Sequence, residues 1–452
     1  MILGSPSTTP LTPPKGLGDS YYPSLGNAGY DARHYDLFLK VDPATNQVDA
    51  RTVVTAKATE KLDSLNLDFV GCQVSKVEVN GESARFDRHE NKLHVEPQSP
   101  LAAGQDFQVK VDYHGSPQAF KSEAGDFTVG WKNHEGQFIT VDSQPDGAQS
   151  WFPNNNHPLD KATYSIAVDV PKPFVAAANG TLVQLEDTPD HRVYHFESKD
   201  PMASYLATVN IGNYVTETSV GPGGLPIRNY FPPELADKAR FDFGRTPEII
   251  DFLSQRFGPY PFENYGVVVV PAEKVIDQPL ETQTLSQFNP ALVTGDRKNE
   301  DLVVHELAHQ WFGNKVSLGR WQDIVLNESF AQYSEWLWLE HTQGKEALQK
   351  AVGDTYESLK GLPDISIAAP PKDHLFTDQV YERGAVALHE LRAKVGDEAF
   401  FGALPGYVAN HQNATLDDLQ HALEATSGQP LADFFRTWFH DPALPPLSPA
   451  PP

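Results

Sequence analysis

The chain has a single cysteine, Cys72, and so no internal disulfide. A lone cysteine of this kind is expected to be a small buried apolar side chain. No run of 18 or more apolar residues occurs, so hydropathy predicts no membrane insertion. Positive charge is scarce: 35 Lys and Arg stand against 60 Asp and Glu, a formal net charge of -25. That balance argues against nucleic acid and anionic membrane surfaces as partners. It suits cationic partners such as peptides with a free amino terminus, although solubility accounts equally well for most of it. The opening run MILGSPSTTPLTPPKG lacks the charged and apolar regions of a signal peptide. The expected compartment is the cytoplasm, with a secreted mature form left open, and the expected state is a monomer.

What is present suffices for packed cores: 452 residues, 40% hydrophobic and 11% aromatic, which as a prior suggests two or three domains. Residues 1–28 are rich in Pro, Ser, Thr and Gly and read as an extended or disordered lead-in. Residues 29–215 show period two, as in Phe107, Val109, Val111 and Tyr113, or Tyr164, Ile166, Val168 and Val170. Asn80-Gly81 and Asn179-Gly180 are turn signals. This half predicts a β-rich domain with sheets packed on each other. Glycine and proline then cluster over 215–226, where the boundary is placed. Residues 216–442 hold a helical pattern over 234–257, a buried strand at 265–270 and a series of further helices. Residues 443–452 read as a polyproline-like tail.

The chemistry concentrates in 302–333, LVVHELAHQWFGNKVSLGRWQDIVLNESFAQY. His305, Glu306 and His309 form H-E-x-x-H, and Glu328 follows nineteen positions after His309. On a helix, residues i and i+4 stand one above the other, so both imidazoles share a face and can hold Zn²⁺. Glu306 sits one position round, beside the metal rather than on it, as suits a base acting on water. An anionic third ligand, Glu328, completes a catalytic site of His₂Glu type. Asp296 or Asn299 can cap the first helix, and Gly313-Asn314 offers its stop. A second helix is expected from about Asn327 to Glu340, with Glu328 in its first turn. Glu335, two turns along, can accept the second N–H of a ligand histidine and fix its tautomer. Two surface histidines on an acidic helix are the blander alternative. Leu302, Val303, Val304, Leu307, Ala308, Trp311 and Phe312 instead make this helix largely buried, where unpartnered histidines are unfavourable.

The run HELAHQWFGN followed by W-x-D-x-x-L-N-E-x-F-A resembles the M1 family of gluzincin aminopeptidases, which includes aminopeptidase N and leukotriene A4 hydrolase. WFPNNNHPLDKATY, ASYLATVNIGNY and FGPYPFENY are similar to family phrases as well. The resemblance implies a multidomain α and β fold: a β-rich, sandwich-like N-terminal domain, then a thermolysin-like, mainly α catalytic domain with a small mixed sheet. Many members continue into further domains. The present chain resembles a two-domain form, which implies a more open site that admits longer peptides.

The resemblance also implies the rest of the site. The glutamate of a G-x-M-E-N motif, which anchors the substrate ammonium, matches Glu281 within Gln278-Pro279-Leu280-Glu281-Thr282. The other positions depart from the motif, and Pro279 has no N–H to donate. Gln144 matches a second substrate contact, Tyr381 of Y-E-R-G the oxyanion donor, and Asp323 a residue that orients a ligand histidine or caps the second helix. The epoxide-hydrolase branch carries a second tyrosine five positions before the first; Phe376 stands there, which weighs against that activity. His389-Glu390 is a decoy, because Ala393 occupies the place of a second histidine. The expected function is a zinc aminopeptidase with one Zn²⁺ per chain. A zinc endopeptidase and a non-catalytic peptide-binding protein on the same fold remain as alternatives.

Overall fold

A computed structural model describes residues 16–271 and 278–448. Strict alternation builds the first half. In Tyr30–Asp42, Leu37, Leu39 and Val41 are buried while their neighbours face outward, the pattern of a sheet with one covered face. This strand pairs antiparallel with Gln47–Ala58 and parallel with Ala162–Pro171, in the register Leu37↔Ile166. Around it runs an eight-stranded sheet. A five-stranded sheet, in which Thr128–His134 pairs with Phe138–Asp142, and a three-stranded sheet complete the β-rich half. Asn80 and Gly81, both with positive φ (52° and 82°), turn Gln73–Val79 back onto Glu82–Ser83.

A four-stranded mixed sheet opens the second half. Val215–Val220 pairs antiparallel with Pro226–Phe231, and Val267–Val269 and Ser286–Phe288 follow in parallel. All three residues of Val267–Val269 are buried, which explains the continuous apolar run in the sequence. Helices then dominate: Thr246–Phe257, Glu300–Ala308, Val325–Gln343, Lys345–Leu359, Gly384–Val395, Asp397–Asn410 and Leu416–Ser427. The helical pattern over 234–257 is two pieces, Ala236–Asp242 and Thr246–Phe257, joined by a 3₁₀ turn just before Pro247. No helix among the described residues is long and apolar enough to cross a membrane. Cys72 is buried.

Both chain ends differ from the sequence expectation. Residues 16–28 are not a loose lead-in but a strap laid across both halves. The Asp19 carboxylate accepts from the backbone N–H of Tyr21 (2.7 Å) and Trp321 (2.9 Å) and faces His157 Nε2 at 3.2 Å. Tyr22 is 1% exposed, meets Trp321 edge-on, and its hydroxyl donates to the Lys372 carbonyl. Composition marks this segment as linker-like, but two tyrosines and one buried aspartate supply enough anchors to order it. Residues 1–15 lie outside the described residues. Within the expected tail, Leu444 and Leu447 pack on the core, and Ser448 N–H donates to Glu390; 449–452 lie outside the described residues.

Candidate metal centre

The helix Glu300–Ala308 begins with two acidic residues in its first turn, favourable against the helix dipole, and buries Val303, Val304, Leu307 and Ala308. Asn299 occupies the N-cap, but its side chain donates to the Leu292 carbonyl instead of capping. His309 is the C-cap, and its N–H still bonds the His305 carbonyl at 3.2 Å, so the i,i+4 relation holds. The helix ends at Ala308, five residues before Gly313, the expected stop, where φ is 122°. The helix Val325–Gln343 packs beside it, and Phe330 stacks on Phe312 of the turn that follows Ala308, ring centroids 4.0 Å apart. Gly344 ends this second helix with φ 91°.

These two helices bring His305, His309 and Glu328 together. Glu328 Oε2 lies 3.6 Å from His305 Nε2 and 3.4 Å from His309 Nε2. Donors held about 2.1 Å from one ion at tetrahedral angles stand roughly 3.4 Å apart, so the spacing fits a shared Zn²⁺. The opposite ring nitrogens are already engaged. His305 Nδ1 meets Glu335 Oε1 at 2.7 Å, and His309 Nδ1 meets the Phe312 carbonyl at 3.0 Å. Both Nε2 atoms are thereby directed at the centre. A second grouping, Glu281, Glu306 and His309, lies equally close, and all five side chains are buried.

The electrostatics are those of a cation site. Burial opposes charge on His309, yet Glu328 and Glu281 push its ring up to about 9. Burial would also raise Glu328, but the two histidines bring it down to about 2. Burial pushes the Glu306 carboxyl up to about 8, against the pull of His305 and His309. The carboxylates that hold protons on these imidazoles would equally hold a divalent cation in their place. Glu306 Oε2 is buried with no hydrogen-bond partner among the described residues, an orphaned acceptor on a residue that lines a cavity.

That cavity, about 490 Å³, is lined from both halves of the chain. Gln144, from the β-rich half, donates through Nε2 to Glu281 Oε1 at 2.7 Å. Tyr381 lies in a π-helical turn, Gln379–Arg383, that leads into the helix Gly384–Val395. Its ring stacks on His305 with centroids 5.9 Å apart, and burial beside Glu328, Glu281 and Glu306 holds the phenol well above its ordinary value. It therefore stays a donor. Gln278 lies at the exposed rim, while Pro279 and Leu280 line the wall.

Asp323 does not orient a histidine. Its carboxylate takes a two-point ion pair from Arg320 (2.9 and 3.0 Å) in the 3₁₀ turn Trp321–Asp323, and Ile324 holds the N-cap position of the helix. The orienting partners are Glu335 and the Phe312 carbonyl. Two positioning residues escaped the sequence reading. Gln310 Nε2 and Asn314 Nδ2 both donate to the Glu281 carbonyl, at 3.2 and 2.6 Å. Their signal was present, since both stand inside HELAHQWFGN.

Comparison with known proteins fits this geometry. Residues 31–206 match the Peptidase M1 N-terminal domain, and residues 241–438 match the Peptidase family M1 domain. The chain is 25% identical over 437 residues to a leucyl aminopeptidase of Saccharolobus solfataricus, covering 91% of this chain and 53% of that one. It thus spans about half the length of that relative. It is 26% identical to leukotriene A-4 hydrolase of Xenopus laevis, covering 93% of this chain and 73% of that one. Among solved structures it is similar to an M1 zinc metallopeptidase of Deinococcus radiodurans, a point variant bound to a Tyr-Ser-Ala substrate. There the TM-score is 0.87 and the identity 33%, covering 96% of this chain and 99% of that one.

Proposed function

This chain belongs to peptidase family M1, and on that footing we propose that it is a zinc-dependent aminopeptidase, releasing the first residue of peptides with a free N-terminus. The observation that carries the reading is the Gln144–Glu281 pair, which sets an anchor for a substrate ammonium beside His309. His305, His309 and Glu328 are the ligands. Bound there, Zn²⁺ supplies a Lewis acid that polarises the scissile carbonyl and makes water a better acid.

The remaining work falls to the chain. Glu306 Oε2, free of protein partners among the described residues, takes a proton from the attacking water and delivers it to the leaving amine. Tyr381 donates its O–H to the developing oxyanion. Glu281, held by Gln144 at its carboxylate and by Gln310 and Asn314 at its carbonyl, fixes the N-terminus so that only the first peptide bond reaches Glu306. Phe127 and Phe376 meet edge to face, ring centroids 6.1 Å apart, where the two halves border the cavity, which supports a preference for an aromatic first residue.

The test is hydrolysis of a panel of aminoacyl fluorogenic amides, free and N-acetylated, with and without a zinc chelator. Chelator-sensitive cleavage of the free amines alone is the expected result. Cleavage of the acetylated set would remove Glu281 as the anchor and turn the reading to an endopeptidase. No cleavage of either set by protein shown to contain zinc would leave a peptide-binding protein.

A further inference from the structure

The wall of the cavity next to Glu281 is a short strand segment with a fixed hydrogen-bond parity. Leu280 and Gln287 form an antiparallel bridge: Leu280 N–H donates to the Gln287 carbonyl at 3.0 Å, and Gln287 N–H donates to the Leu280 carbonyl at 2.8 Å. Both backbone groups of residue 280 are thus spent on the sheet. In an antiparallel ladder the next residue directs its groups to the opposite side. By that alternation the backbone groups of Pro279 point away from Gln287, and Pro279 is among the residues that line the cavity. A strand edge normally offers one donor and one acceptor at such a position. Proline has no N–H, so here the edge offers a carbonyl alone.

The segment is held firmly enough for this to matter. The Leu280 side chain packs with Phe138 of the β-rich half and with Val270, the residue that follows Val267–Val269 of the four-stranded mixed sheet. The Glu281 carbonyl is gripped by Gln310 and Asn314, and the Thr282 hydroxyl donates to the Leu285 carbonyl to close the turn behind it. A peptide whose N-terminus sits at Glu281 and which runs antiparallel to this segment passes Pro279 with the residues that follow its first peptide bond.

We propose that Pro279 turns this wall into an acceptor-only rail, which receives a peptide N–H from the leaving-group side of the substrate and returns no hydrogen bond to a substrate carbonyl. The inference rests on the aminopeptidase reading and deepens it. Peptide length is read through one backbone hydrogen bond where an ordinary edge would supply two, and the N–H of the second linkage carries that contact.

Two experiments test it, each scored against an aminoacyl fluorogenic amide that ends before the rail. In the first, the native chain is given a tripeptide and its analogue with an ester at the second linkage, which deletes the N–H. One hydrogen bond is commonly worth about a two- to tenfold change, so kcat/KM for the ester should fall by that factor. In the second, Pro279→Ala restores a donor to the edge. The ratio of kcat/KM for the tripeptide over that for the aminoacyl amide should rise by about threefold, chiefly through KM. An ester turned over as well as the amide, or a ratio that stays level in a folded Pro279→Ala chain, overturns the proposal. If that variant does not fold, the ester comparison decides alone. Failure of the native chain to cleave even the aminoacyl amide would remove the peptidase reading and this inference with it.

Discussion

Glu306 and Glu281 are both buried in one cavity but differ in what holds them. Glu306 Oε2 meets no protein donor among the described residues, whereas the Glu281 carboxylate is held by Gln144. Replacing Glu306 by Gln should leave zinc content, read by metal analysis, near one per chain while kcat falls by about 10²–10⁴-fold. On the proposed function, replacing Glu281 by Gln removes the charge that would hold a substrate ammonium. Kinetics on free aminoacyl amides should then show kcat/KM lower by about 10- to 100-fold, the scale of a lost hydrogen bond to a charged group. At this scale the sequence was legible where helical spacing dictates proximity: His305 with His309, and Glu328 with Glu335 two turns along. It misled at Asp323, whose nearest charge, Arg320, lies in a tight turn that no periodicity announces.

Among the elements, the strap over 16–28 carries the clearest pH dependence. Burial alone would raise the Asp19 carboxyl, but His157 and the N–H groups of Trp321, Tyr22 and Tyr21 outweigh it and bring it down from 3.8 to about 2. A carboxyl lowered on folding stabilises the folded chain above its unfolded value, and that contribution is lost as pH falls from near 4 through 2. Asp19→Asn should therefore cost about 1–2 kcal/mol at pH 7, allowing for solvent screening, and the gap from the native chain should close toward pH 2 in denaturant titrations. A gap that is constant with pH would mean that Asp19 acts by shape alone. The strap was illegible because composition averages over Tyr21 and Tyr22. Local strands and helices were readable from their periods. The parallel pairing of Tyr30–Asp42 with Ala162–Pro171 was not, since it joins segments that no local pattern relates.

Across the described residues, an extended hydrophobic cluster runs through both halves, and Lys161 pins them beside the residues that hold Glu281. Its ammonium donates to the carbonyls of Asn314 (2.7 Å), Lys315 (3.0 Å) and Gln412 (3.3 Å). Asn314 also grips Glu281, so the pin and the anchor share a residue. Lys161→Met should lower stability by about 2–3 kcal/mol and the calorimetric midpoint by several degrees. A variant that melts like the native chain would show the pin to be idle.

The cavity itself has a divided parentage. Phe127 and Gln144 come from the β-rich half, and Glu281, His305 and Glu306 from the helical one. On the proposed function, part of the first-residue pocket and the catalytic residues are thus inherited separately. A chimera that takes residues 30–212 from a relative replaces Phe127 and Gln144 but keeps Phe376, so it should shift the choice of first residue part of the way toward that relative's while the bond-breaking residues stay the same.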